Sequence, residues 1–142
     1  MSSHHIVREN QEPALLINYY EAIDQEYLGQ LLEWSPTIIT DEDNVDYLLA
    51  EDIKVDILVG NAALLPSQEQ IKHIPLKTSL LEDALAYLVA HNYKAVNILL
   101  HDISANILRF AEYINIVCFA NGRRYVIAVS YTHLTLPTMA VV

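Results

Sequence analysis

The residues that could do chemistry fall into three short strings. The first is Asp41-Glu42-Asp43, which follows the β-branched run Thr37–Thr40 and opens a stretch with apolar residues at Val45, Leu48 and Leu49. Carboxylates in that place have two uses. They cap the start of a helix, where the macrodipole favours negative charge. Alternatively, Asp41 or Asp43 holds a metal–nucleotide complex at the end of a strand, with Mg²⁺ bridging carboxylate and phosphate. The second string is Gly60-Asn61-Ala62-Ala63, which ends the apolar run Ile57–Val59. A glycine turn after a strand is where α/β proteins hold ligands, yet this one offers an amide and two methyl groups and no charge. The third is His101-Asp102, after the run Ala95–Leu100, another strand end with groups able to carry a proton or bind a ligand.

The elements that would position these strings alternate. Ala14–Ile17 reads as a strand after Pro13. Asp24 is placed to cap a helix over 25–33 with apolar residues at Tyr27, Leu28, Leu31 and Leu32, ended by Ser35-Pro36. Residues 37–40 form the second strand, the acidic string opens the second helix, and 55–60 form the third strand. Ile71–Pro75 is a short strand. A long amphipathic helix follows, with Leu81, Ala84, Leu85 and Leu88 on one face, Ser79 or Thr78 as cap, Glu82 completing a capping box and Asn92 near its end. Residues 95–100 are a strand and 104–114 a shorter helix. Asn121-Gly122 between two β-rich runs predicts a two-residue hairpin turn. This rhythm predicts an α/β fold: an open, mostly parallel sheet with helices on both faces, ending in a β-hairpin.

Composition narrows the function classes. With 53% hydrophobic residues in a chain of 142, one domain with its own core is expected rather than disorder. No apolar run approaches the roughly 20 residues needed to span a bilayer, and the first ten residues lack the apolar core of a secretory signal. The net charge of −10, from 18 acids and 8 bases, argues against a nucleic-acid partner, which requires clustered Lys and Arg. The single cysteine, Cys118, forms no disulfide within one chain and suits a reducing cytoplasm. The histidines show no metal-ligand spacing. With three glycines in the chain there is neither a GxxxxGK[ST] loop nor a GxGxxG turn. Tyr19-Tyr20 could stack on a base, with packing inside the protein as the plainer use. The tail, 130–142, carries no charge and breaks the α/β rhythm. It resembles translated sequencing adaptor and is expected to be foreign to the domain, which then occupies 1–129.

Several strings, taken in order, carry a resemblance. These are PALLI, LLEWSPTIIT, IKVDILVG, IKHIP with Lys77-Thr78, ALAYLVAHNYKAVNIL and INIVCFANGRRYVI. From about residue 3 to 127 the chain resembles the N-terminal α/β domain of bacterial thiamine pyrophosphokinases. The resemblance implies a Rossmann-like three-layer domain and transfer of pyrophosphate from ATP to thiamine, with Mg²⁺ held by carboxylates. It also implies a homodimer and a C-terminal β-sandwich that this chain does not supply. It places Asp41, Asp43, Asn61 and Asp102 at the catalytic positions. Gly60, Asn61, Lys77, Thr78 and His101 fall around the nucleotide, and Asp43 and Asp56 near the metal.

The departures fall on the polar residues. The family's GDxDS string would put aspartates where Asn61 and Ala63 stand and a serine at Leu64. Its KTD string appears as Lys77-Thr78-Ser79, and its GGRxDH segment is shortened around His101-Asp102. The apolar framework is kept while three acids that act together are absent. The expectation is therefore an active-site loop that has lost its acids, in a domain that is either a weakened transferase or an inactive relative serving as a binding module.

Overall fold

A computed structural model describes residues 12–60, 71–129 and the backbone of 137–141. The elements are β1 (Ala14–Ile17), α1 (Gln25–Leu32), β2 (Ile38–Asp41), α2 (Glu42–Ala50), β3 (Ile57–Val59), β4 (Lys72–Ile74), α3 (Leu80–Ala90), β5 (Ala95–Leu99), β6 (Asn115–Ala120), β7 (Arg123–Val129) and β8 (Pro137–Val141). They form one sheet in the order β4-β3-β2-β1-β5-β6-β7-β8. Strands β1 to β6 are parallel to their neighbours, while β7 and β8 join antiparallel. The expected α/β sheet with a terminal hairpin is what forms.

Local chemistry explains most of the boundaries. Asp24 accepts from Tyr27 N at 2.7 Å and starts α1. Ser35, at φ 52°, and Pro36 stop the chain from continuing that helix. Ser79 accepts from Glu82 N at 3.2 Å and starts α3, and Asn92 at φ 63° ends it. Only half of the expected capping box forms, because the Glu82 carboxylate meets Arg109 Nη2 at 3.4 Å. The hairpin turn has φ 54° at Asn121 and 73° at Gly122, the two positive values a type I′ turn requires.

The helix expected over 104–114 is a 3₁₀ segment, Ala105–Phe110. The Ser104 hydroxyl accepts from Asn106 N only two residues on. Such short polar side chains compete with regular helical bonding and favour a tight turn. A second 3₁₀ turn, Tyr20–Ala22, follows β1. In the tail, 137–141 pair with β7 as an edge strand.

The sheet is buried on both faces. α3 and the 104–114 segment cover one, through Leu80, Ala84, Leu85, Leu88, Ile107 and Ile114. α1 and α2 cover the other, through Leu28, Val45 and Leu48. Strand residues face the two sides alternately: Leu16, Ile39 and Ile98 meet α3, while Leu15, Ile17 and Ile38 meet α1 and α2. This is why the parallel strands read as continuous apolar runs. Among the described residues no helix is long and apolar enough to cross a membrane.

Candidate functional site

The first four strands extend the sheet in one direction, and α3 then carries the chain back across it so that β5 lies on the other side of β1. The reversal lies between β1 and β5, and the space beyond the carboxyl ends of the strands at such a point is the usual ligand position in such sheets. Along that edge stand Lys77 and Thr78 after β4, Gly60 after β3, Asp41 and Asp43 at the start of α2, and His101 and Asp102 after β5. At about 4.8 Å per strand the row is roughly 20 Å long. Asn61 lies outside the described residues, as do Ala63 and Leu64.

Asp41 is the best anchored of these. Its carboxylate accepts from Asn44 N at 3.2 Å and from Asn44 Nδ2 at 2.7 Å. The same Asn44 amide donates to Asn18 O at 3.2 Å, and Thr40 Oγ1 donates to Ile17 O at 2.9 Å. Asn44 and Thr40 are both buried, so the ends of β1 and β2 are fastened by polar groups that the core encloses. Burial pushes the Asp41 carboxyl above its usual range, and Asp43 adds to the rise, against the lowering effect of the Asn44 bonds. Asp41 serves as a helix cap. Asp43, two residues on, is exposed.

A cleft of about 210 Å³ lies between the starts of α2 and α3, lined by Asp41, Glu42, Asp43, Val59, Leu76, Ser79 and Leu80. Gly60 follows Val59 of this lining. There φ is +149°, and a Cβ would meet the Glu42 side chain at 2.6 to 2.9 Å. Glycine is thus required twice, by its backbone angle and by the Glu42 arm lying across the strand end. The sequence offered Glu42 as one of three acids but gave no sign of this cross-strand contact.

The remaining positions are engaged locally. The N–H groups of Lys77 and Thr78 both donate to Asp83 Oδ2, at 2.7 and 3.1 Å. His101 Nδ1 lies 2.9 Å from Asp102 Oδ2, with both side chains largely exposed, and the Tyr19 ring meets the His101 ring edge-on at 4.9 Å. Tyr20 stacks on Tyr47 at 3.7 Å, so this ring packs against the protein itself.

Asp56 does not join the group. It precedes β3, where its carboxylate accepts from Ile38 N at 2.8 Å and faces Lys54 at 3.6 Å. That is the amino end of the parallel strands, one strand length from Asp43, about 10 Å at 3.3 Å per residue. Among the described residues no group of three or more His, Cys, Asp or Glu side chains is placed to hold a metal ion. The donor set explains this: Asp41 faces Asn44, Asp56 faces Ile38, Asp102 pairs with His101, and Asp43 stands exposed on the edge. These residues do not fit the Mg²⁺ site that the resemblance implies. Set against known proteins, the chain matches no family model and no curated protein.

Proposed function

We propose that this chain is a domain of the thiamine pyrophosphokinase type that keeps the ligand crevice of the fold but has lost the magnesium-dependent transfer from ATP to thiamine, and that it works in the cytoplasm as a folded binding module. The reading rests on the strings quoted above and on one observation: of the acids expected at the site, Asp41 is committed to a helix cap and Asp56 lies at the far end of the strands, bonded to the Ile38 backbone. Phosphoryl transfer depends on neutralising phosphate charge, and a row whose exposed aspartates are Asp43 and the His101-paired Asp102, at the ends of different strands, supplies little of the cage a divalent cation needs. Lys77 and His101, on the same edge, are the groups left to meet an anionic ligand.

The test is formation of thiamine diphosphate from thiamine, ATP and magnesium, read as fluorescent thiochrome derivatives. The expected result is no product above a no-protein control. The variant Asn61→Asp/Ala63→Asp/Ser79→Asp is expected to gain magnesium-dependent ATP binding by calorimetry, since aspartate also caps a helix and α3 is preserved. Product from the unmodified chain would overturn the loss of transfer, and a folded triple variant blind to ATP would overturn the retained crevice.

A further inference from the structure

The amino ends of the parallel strands hold two cavities that share Pro36 as a wall. The larger, of about 520 Å³, lies between the α1–β2 and α2–β3 connections, with Leu32 and Ile53 beside Glu51, Asp52, Lys54 and Asp56. The smaller, of about 350 Å³, lies between the end of α1 and the start of β1. It is mainly apolar, with Pro13, Leu15, Leu31 and Trp34, and its polar members are Glu12 and Asn97. Both volumes fall in the range of small-molecule sites, about 300–1,000 Å³.

Charge fixes the sign of what enters the larger cavity, since three carboxylates line it against one ammonium. Among the described residues no three acids are gathered to hold a metal ion, so an organic cation is the better fit. Lys54 marks its seat. The Lys54 ammonium lies 3.6 Å from Asp56 Oδ1, while Asp56 Oδ2 accepts from Ile38 N at 2.8 Å. The backbone bond thus fixes this carboxylate with its other oxygen turned to a cation. Lys54 is largely exposed, and exposed pairs of this kind are weakly held, so a free ammonium can replace it. The smaller cavity fixes the rest of the ligand. Trp34 is 68% exposed at its rim, and an indole offers a broad flat surface to an apolar body. We infer that the two cavities form one site for an amphiphilic amine, with its ammonium on Asp56 beside Asp52, its apolar body against Trp34 and Leu31, and its chain crossing Pro36. Asp56 bonds Ile38, two residues from Pro36, a distance of roughly 7 Å along extended backbone. A saturated chain of about five carbons spans that gap. The site lies at the opposite end of the strands from Lys77 and His101 and does not depend on their role.

Trp34 is the single tryptophan of the chain, so its emission reads occupancy of the apolar cavity. The probe is 5-phenylpentylamine, which should shift that emission to the blue and saturate. The matching alcohol, 5-phenylpentanol, has the same body without the charge and should bind about tenfold more weakly, the worth of a hydrogen bond to a charged group. In Asp56→Asn the amine should fall to the affinity of the alcohol. Asp52→Asn should weaken it in the same direction, in a fold kept intact because asparagine tolerates the φ of 59° there. Lys54→Met removes the resident competitor and should tighten the amine several-fold. Trp34→Ala, read by calorimetry, should weaken amine and alcohol alike. Glu112→Gln removes one exposed acid from the segment covering the other face of the sheet and should change nothing. No saturable binding, or equal affinity for amine and alcohol, would overturn the inference. So would equal weakening by Glu112→Gln and Asp52→Asn, which would assign the attraction to the net charge of −10.

Discussion

The two ends of the parallel strands carry the same kinds of side chain and use them differently. At the amino end, Asp56 bonds the backbone of β2 from the start of β3, and the groove there is lined by Ser35, Thr37, Asp52, Lys54 and Asp56. At the carboxyl end, Asp41 caps a helix, and Asn44 and Thr40 fasten the ends of β1 and β2. In both places a carboxylate is consumed by backbone N–H groups. The amino end also leaves Asp52 and Lys54 exposed, whereas the carboxyl end, where the chain reverses between β1 and β5, gathers Asp43, Lys77, His101 and Asp102 from the ends of separate strands. Ligand capacity here follows from the topology more than from the number of acids.

The largest expected effect comes from removing the bond at the amino end. Asp56→Ala leaves the Ile38 N–H without its acceptor, and urea denaturation should show a loss of about 2–3 kcal/mol. Asp56→Asn keeps an acceptor and should lose less than half of that. Equal, negligible losses would mean that this end is not held by Asp56 and would dissolve the contrast.

Gly60→Ala, at the other end, should cost about 1–3 kcal/mol from its φ of +149° together with the Glu42 contact. Pairing it with Glu42→Ala should recover the part owed to contact and leave the backbone part. Full recovery would show that the backbone angle costs nothing.

The smallest effect sharpens the comparison through its sign. The Asp41 carboxyl titrates above its usual value in the folded protein. The folded state therefore binds this proton more tightly than the unfolded chain does. The resulting stability is fully present below the unfolded pKa and is lost as pH rises through the folded one. Asp41→Asn keeps a cap and an acceptor. It should match or slightly exceed the parent at pH 7 and fall behind at pH 3. A clear loss at pH 7 would show that the charge itself holds α2 in place.

The elements were legible where one local rule decided them. Asp24 and Ser79 marked helix starts, Asn92 a helix end and Asn121-Gly122 a hairpin, and each does so. Segment 104–114 misled because its apolar spacing suits a helix, while Ser104 and Asn106 tighten it into 3₁₀ form. The site was legible as a row of strand ends and no further. The sequence placed Asp41 among the acids of a helix start, which is its role in the fold. The strand read over 55–60 already puts Asp56 at its amino end, as the fold does; it was the resemblance, not the strand pattern, that set Asp56 near the metal. The sequence could not show Glu42 crossing to Gly60, a contact between two strands' ends that no spacing encodes.

The position of β1 bears on how the chain is made. Among the described strands it comes first in the chain, and it lies inside the sheet, with β2 on one side and β5 on the other. Its pairing with β2 can form early, through a compact β-α-β unit. Its other edge, Ala14 to Ile17, must wait for Val96 and the residues after it. At usual synthesis rates that wait is on the order of ten seconds. During it, four apolar residues with unpaired backbone groups are open to any extended segment nearby. The nascent chain is therefore most prone to aggregate before β5 emerges, and a ribosome-bound chaperone would protect it most in that interval.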